Sequence, residues 1–272
     1  MHAFSLGSLA AWRHPSPTPA AARVLLIHGI SEHSGRHLTT VAALNAASIE
    51  VVRFDLRGSG KSGGARQYVK SFSEYTQDVA TVFNWIESEL ESLPLFVMGH
   101  SLGGAIAVHF AAEYGRLFNG LILSAPAFQT GGVSPLTVLM GRVLARFIPG
   151  FRIYSKDSSA LSRDEEVVEA YVNDPLATRY NTLAQGKAVL DALAQMPEMC
   201  KKISNPTAIF HGTSDRVILP AGSFELVQSL ASAQKELHYL PSVYHEPHLD
   251  WDSEKYFTLL VQWLRRQIAN RD

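Results

Sequence analysis

Apolar residues occur in this chain in two alternating textures. Short continuous runs over residues 24–27, 50–54, 95–98 and 121–123 read as buried strands. Between the second and third, Tyr75, Val79, Val82, Phe83, Ile86 and Leu90 recur at spacings of three and four, which predicts a helix. Ser71 and Glu74 form a capping box for its start. The alternation resumes later, with runs at 208–210 and 237–240 around a helical stretch at 224–230. An amphipathic helix over 257–268 follows. Strands separated by helices predict an α/β fold, in which a mostly parallel sheet is covered on both faces.

Residues 127–203 break this rhythm, because no convincing run of buried strand occurs there. Leu136, Leu139, Met140, Val143, Leu144 and Phe147 predict an apolar-rich helix that stops before Pro149. Ser162 and Glu165 suggest a capping box for a helix reaching residue 171, and a further helical pattern covers 183–193. The expected organisation is a core over 1–126, a helical cap over 127–203 and the rest of the core over 204–272. A cap inserted between two late strands covers their carboxyl ends, where ligands bind in open α/β sheets.

Composition narrows the classes. Hydrophobic residues make up 46% of the 272 and charged residues 18%, as in a globular chain with a large core. A formal net charge of −1 argues against a nucleic-acid partner. Cys200 stands alone, so no internal disulfide is expected and a reducing compartment is permitted. No apolar segment is long enough to span a bilayer, and the N-terminus lacks the pattern of a signal peptide. The expected location is cytoplasmic.

Between the third strand and an alanine-rich helical stretch lies Gly99-His100-Ser101-Leu102-Gly103. This G-x-S-x-G pattern in a strand–turn–helix context is a nucleophile elbow. Serine needs a base to take its proton and a group to orient that base. In elbow enzymes the acid and then the histidine follow in the chain. Asp215 comes directly after the 208–210 strand, and His245 lies just beyond the 237–240 strand. The predicted triad is therefore Ser101, Asp215 and His245, with His248 as the competing base. The amide of Leu102 and that of Ile30, after His28-Gly29, are the expected oxyanion donors. A zinc reading fails because Leu249 stands where His-Glu-x-x-His needs its second histidine. A phosphate-loop reading of Gly60-Lys61-Ser62 fails because Asp55 replaces its first glycine. Neither a metal nor a cofactor is expected.

Several motifs together resemble the monoacylglycerol lipase and lysophospholipase branch of the α/β-hydrolases. They are Ser31-Glu32-His33-Ser34-Gly35-Arg36 after His28-Gly29, Asp55-Leu56-Arg57-Gly58, Gly99 to Gly104 and Ser124-Ala125-Pro126. In the cap, Ser162-Arg163-Asp164 and Asn173-Asp174-Pro175-Leu176 are also similar to that branch. The resemblance runs over about residues 24–268. It implies the α/β-hydrolase fold and the same residues for nucleophile, acid, base and oxyanion amides. It further implies a polar Glu32–Arg36 pair near the site and a cap with an apolar acyl channel, for which Leu139 and Val143 are candidates. The implied activity is hydrolysis of monoacylglycerols, lysophospholipids or related single-chain esters, with a lipid ester as partner and transient membrane-surface contact through the cap. An amidase or aminopeptidase on the same triad is the alternative enzyme, and a non-catalytic binding protein the alternative class. Two departures stand out. The stretch before Val24 is short, predicting a missing or abbreviated edge strand, and Ala177-Thr178-Arg179-Tyr180 differs from the usual cap wording.

Overall fold

The apolar runs pair into one eight-stranded sheet, seen in a computed structural model that describes residues 1–128, 135–154 and 157–270. Its strands are β1 (His2–Leu6), β2 (Leu9–His14), β3 (Ala22–Ile27), β4 (Ile49–Phe54), β5 (Leu95–His100), β6 (Gly120–Ser124), β9 (Thr207–Gly212) and β10 (Lys235–Leu240). Their spatial order is β1-β2-β4-β3-β5-β6-β9-β10. Every pairing from β4 to β10 is parallel, whereas β1 with β2 and β2 with β4 are antiparallel.

The central strands look uniformly apolar because both of their faces are covered. Leu25 and Ile27 of β3 and Val97 of β5 join one core with α2 (Ser73–Glu89), α3 (Leu102–Tyr114) and α8 (Pro220–Ser229). Val24, Leu26, Phe96 and Met98, their alternate neighbours, join a second core with α1 (Leu38–Ala46) and α9 (Ser253–Ala269). Trp263 of α9 anchors that side, meeting Phe96 edge-on at 5.9 Å.

The N-terminal edge is complete, contrary to expectation. β1 and β2 form a hairpin in which Leu6 pairs with Leu9 across Gly7-Ser8, with Gly7 at φ 60°. A two-residue turn with glycine first in a positive-φ conformation suits a tight hairpin. Phe4 stacks on Trp85 of α2 at 4.0 Å and holds this edge down.

Between β6 and β9 in the chain lie α4 (Pro135–Phe147), β7 (Arg152–Tyr154), α5 (Glu165–Asn173), β8 (Tyr180–Thr182), α6 (Leu183–Leu193) and α7 (Met196–Cys200). β7 and β8 pair as a small antiparallel ribbon that the sequence pattern did not announce. The last helices of this stretch are not peripheral, since Ala188, Ala192, Met196 and Cys200 are buried in the main core beside α3. On α4 the inward stripe is Val138, Gly141, Arg142 and Ala145, spaced three, four and seven residues along the helix. These mostly small side chains let α4 approach α6, and Arg142 pairs with Asp191 there at 2.8 Å. The larger apolar residues consequently turn outward. Leu139 is 58% exposed and Val143 51%, so neither lines a channel to the sheet as expected.

Two helix starts also differ. The residue preceding α2 is Phe72 and has no side-chain cap, although Glu74 accepts from the Lys70 amide at 2.6 Å. α5 is capped by Asp164 through the Glu166 amide, with Ser162 accepting from the Asp164 amide one step earlier.

Candidate active site

Ser101 sits where β5 ends and α3 begins, with φ 52° and ψ −117°. Such strain at a strand-to-helix junction needs neighbours without side chains. A Cβ on Gly99 would fall 2.2 Å from the Gly103 carbonyl oxygen, and one on Gly103 would fall 2.3 Å from that of Ile27. The turn is also tied down, because the Ser101 amide donates to the Ser124 carbonyl at 3.0 Å and its own carbonyl accepts from Ala127 at 3.0 Å.

The three predicted residues come together beyond the carboxyl ends of β5, β9 and β10. His245 Nε2 lies 3.0 Å from Ser101 Oγ, and His245 Nδ1 lies 2.7 Å from Asp215 Oδ2. An ionised carboxylate only accepts, so Nδ1–H donates to Asp215 and leaves Nε2 free to take the serine proton. Asp215 is held from several directions. Its Oδ1 accepts from the amides of Val217 and Ile218 at 2.8 and 2.9 Å, and His211 Nε2 is 3.0 Å from Oδ2. Burial alone would raise the Asp215 carboxyl, but the histidines His245 and His211 hold it far below the usual carboxylate range. For His245, burial favours the neutral ring, yet the Asp215 carboxylate and the hydrogen bond to it outweigh burial and raise its pKa above the ordinary 6.5.

His248 is placed elsewhere. Its ring stacks on His37 at 4.2 Å with an interplanar angle of 10°, and burial holds it neutral well below the ordinary range. His100 is buried with Nδ1 3.1 Å from the Ser124 carbonyl oxygen, and burial lowers its pKa in the same way. His109 lies 3.1 Å from the Ala192 carbonyl oxygen.

The loop after β3 runs against the elbow. A Cβ on Gly29 would come 3.2 Å from Ser101 Cβ, and Ile30 lines the same cavity as Ser101. Leu102 is the first residue of α3. Glu32 supports this loop by accepting from the Gly29 amide at 2.5 Å and from His37 Nε2 at 3.1 Å. Arg36 Nε stands 3.4 Å from Glu32 Oε2, and Arg36 Nη2 donates to Glu246 Oε2 at 2.6 Å. Asp55, where a phosphate loop would need glycine, accepts from Ser34 and from the Lys61 amide, so that segment is a strand-exit turn.

The motifs around Ser162 and Asp174 join the inserted stretch to these loops. Ser162 Oγ donates to the Leu249 carbonyl at 3.0 Å, and Arg163 pairs with buried Asp250. The Glu246 amide donates to Leu161 at 2.8 Å, and Asp174 lies 2.8 Å from His33 Nε2. Together they close a cavity of about 210 Å³ beside Ser101, whose apolar wall includes Ile30, Leu161 and Val217. A larger groove of about 550 Å³ lies between α2, α3 and α6, remote from Ser101. Sequence reasoning missed His211 and Glu246. His211 reads as one more strand residue, and its only signal is its position four before Asp215. Glu246 reads as a loop charge.

A mostly parallel sheet with a strained serine at a strand–helix turn, and acid and histidine after later strands, defines an α/β-hydrolase. The chain matches the serine aminopeptidase S33 (Hydrolase_4) family over residues 18–252 and belongs to it. Within the α/β-hydrolases it falls in the monoacylglycerol lipase branch. It is 34% identical to a monoacylglycerol lipase of Mycolicibacterium smegmatis over 244 residues, which covers 89% of this chain and 87% of that one. A human monoglyceride lipase is 32% identical over 263 residues, 95% of this chain and 86% of that protein. The crystal structure of the Paleococcus ferrophilus monoacylglycerol lipase superposes with a TM-score of 0.86 at 28% identity, covering 98% of this chain and 100% of the other.

Proposed function

We propose that this chain is a serine carboxylic-ester hydrolase acting on monoacylglycerols through an acyl-enzyme on Ser101. The observation that carries this reading is the unbroken relay from Ser101 Oγ through His245 to Asp215 at the mouth of a partly apolar cavity. Ser101 attacks the ester carbonyl while His245 Nε2 takes its proton. The amides of Ile30 and Leu102 stabilise the tetrahedral oxyanion. His245 then protonates the leaving alcohol, and water, activated by the same ring, releases the fatty acid. Asp215 keeps the ring in the Nδ1–H tautomer and stabilises its cation. The relatives named as monoacylglycerol lipases support glycerol monoesters as the substrate class.

Among the described residues no helix is long and apolar enough to cross a membrane. The outward face of α4, with Leu136, Leu139, Met140 and Phe147 exposed and Arg146 beside them, is suited to transient contact with a lipid surface. That contact would bring substrate to the cap, and the expected location is the cytoplasm or the periphery of a membrane.

A matched set of substrates tests the reading: monoacylglycerols from C2 to C16, a triacylglycerol and an aminoacyl amide, assayed below aggregation. The value of kcat/KM is expected to climb by up to about fourfold per methylene, from about 0.8 kcal/mol of transfer energy each, until the apolar wall is used up. The triacylglycerol and the amide are expected to be poor. An acetyl ester or an amide outrunning every long monoester would overturn the lipid assignment.

A further inference from the structure

The loop that carries the base is gripped from both ends. Upstream of His245 it is fixed to β9, because the Ser214 amide donates to the Val243 carbonyl at 3.0 Å and a Cβ on Gly212 would fall 2.2 Å from that oxygen. Downstream, three consecutive residues just ahead of α5 hold it. The Glu246 amide donates to the Leu161 carbonyl at 2.8 Å, and Ser162 Oγ donates to that of Leu249 at 3.0 Å. Arg163 donates through Nε to Asp250 Oδ1 at 2.9 Å and through Nη2 to the same oxygen, with Asp252 Oδ2 2.5 Å from Nη2. The core adds Thr39 Oγ1, which donates to the His248 carbonyl at 3.0 Å.

The Asp250 side chain is fully covered, whereas that of Asp252 is 54% exposed, so the second pair is screened and contributes little. Among the described residues Arg163 is the only cation paired with Asp250. The carboxylate also reaches back towards the base, since Oδ2 accepts from the amide of Tyr244, the residue before His245, in a longer contact of 3.4 Å. A buried ion pair adds little net stability over an apolar pair of the same volume. What it supplies here is fixed geometry, with the guanidinium forked onto one oxygen and lying 5.4 Å from the centre of the Trp251 ring. His245 must keep Nε2 3.0 Å from Ser101 Oγ and Nδ1 2.7 Å from Asp215 at once. A shift of about 1 Å in such a group costs up to about 10²-fold in rate.

We propose that Arg163 is a positioning residue for the chemical step: through Asp250 it fixes the start of α5 to the catalytic-histidine loop. The inserted stretch thereby sets the placement of His245 as well as covering the cavity. The proposal rests on the Ser101–His245–Asp215 reading above and adds a residue that supports it.

The test is steady-state kinetics on a soluble short-chain monoester, beside the rate of fluorophosphonate labelling at Ser101, for proteins established as folded by circular dichroism. Arg163→Ala is expected to lose about 10- to 100-fold in kcat, with KM within about threefold and labelling slowed in parallel, because the serine needs the same base. Arg163→Lys, which keeps the charge but not the fork, should fall between. Millimolar guanidinium chloride should restore kcat severalfold in Arg163→Ala. It should not do so in Asp250→Asn, nor should sodium chloride replace it. A merely structural role would lower the melting temperature and leave kcat of the folded protein unchanged. That result, a loss confined to KM, or no recovery with either lysine or guanidinium would overturn the proposal. Should Arg163→Ala fail to fold, Asp250→Asn, which removes the buried charge and keeps the shape, takes its place. Its kcat is expected to fall by about tenfold or more, and an unchanged kcat would overturn the proposal. Absence of both labelling and turnover in the unsubstituted protein would instead defeat the serine-hydrolase reading, and this inference with it.

Discussion

Replacing Asp215 by Asn separates orientation from charge at the base. Asp215 Oδ2 accepts from His245 Nδ1 at 2.7 Å and also faces His211 Nε2 at 3.0 Å. An Asn amide presenting its nitrogen to His245 would force the tautomer with hydrogen on Nε2, which cannot accept the serine proton. The charge effect can be sized separately. Imidazolium and carboxylate charges about 4 Å apart at an effective dielectric near 20 attract by about 4 kcal/mol. At 1.36 kcal/mol per decade this is roughly 10³-fold in rate, and the lost tautomer brings the expected fall in kcat to about 10⁴-fold. The same substitution shifts the pH profile. His245 acts as the neutral ring, and the Asp215 carboxylate raises its pKa above 6.5 against the pull of burial. Activity in the unsubstituted enzyme should therefore rise with pH through a midpoint above 6.5, and the residual activity of Asp215→Asn should rise at lower pH. The assay is kcat/KM for a soluble monoester across pH 5 to 9, beside circular dichroism to establish folding. A loss under tenfold, or an acidic limb unmoved by the substitution, would refute this reasoning.

The remaining expectations concern single side chains. His245→Ala should cost about as much turnover as losing Ser101, whereas His248→Ala should keep activity within about tenfold and instead lower the melting temperature, since it removes a ring stacked on His37 at 4.2 Å. A larger kinetic loss at His248 would transfer the base to that residue. Gly103→Ala places a Cβ 2.3 Å from the Ile27 carbonyl oxygen. It should destabilise the protein by about 1–3 kcal/mol in denaturant melts through overpacking, and an unchanged midpoint would contradict the close approach of α3 to β3.

Much of this molecule was legible in its sequence because the informative patterns are local. The elbow is five consecutive residues whose glycines answer to contacts of 2.2 and 2.3 Å, and each triad partner lies on the short loop that follows a strand. Elements whose pattern depends on distant neighbours were harder to read. β1 alternates weakly and lies at the sheet edge, so its period-two signal is faint, although Gly7-Ser8 was a usable turn signal. The apolar stripe of α4 gave the helix correctly but not its facing. The small residues Gly141 and Ala145 set which side packs on α6, and hydrophobicity alone pointed to the opposite side. The caps slid because Asp164 competes with Ser162 for the same helix start. Glu246 was invisible because only the fold brings Arg36, 210 positions away, to its side.

Reaction with a fluorophosphonate followed by peptide mass spectrometry tests the account most directly. One equivalent of adduct should appear on the peptide carrying Ser101, with monoacylglycerol turnover lost in proportion to labelling. The Ser101→Ala protein should neither label nor turn over, with activity down by about 10⁶-fold. Adduct on another serine, or turnover persisting in fully labelled or Ser101→Ala protein, would contradict an acyl-enzyme at Ser101.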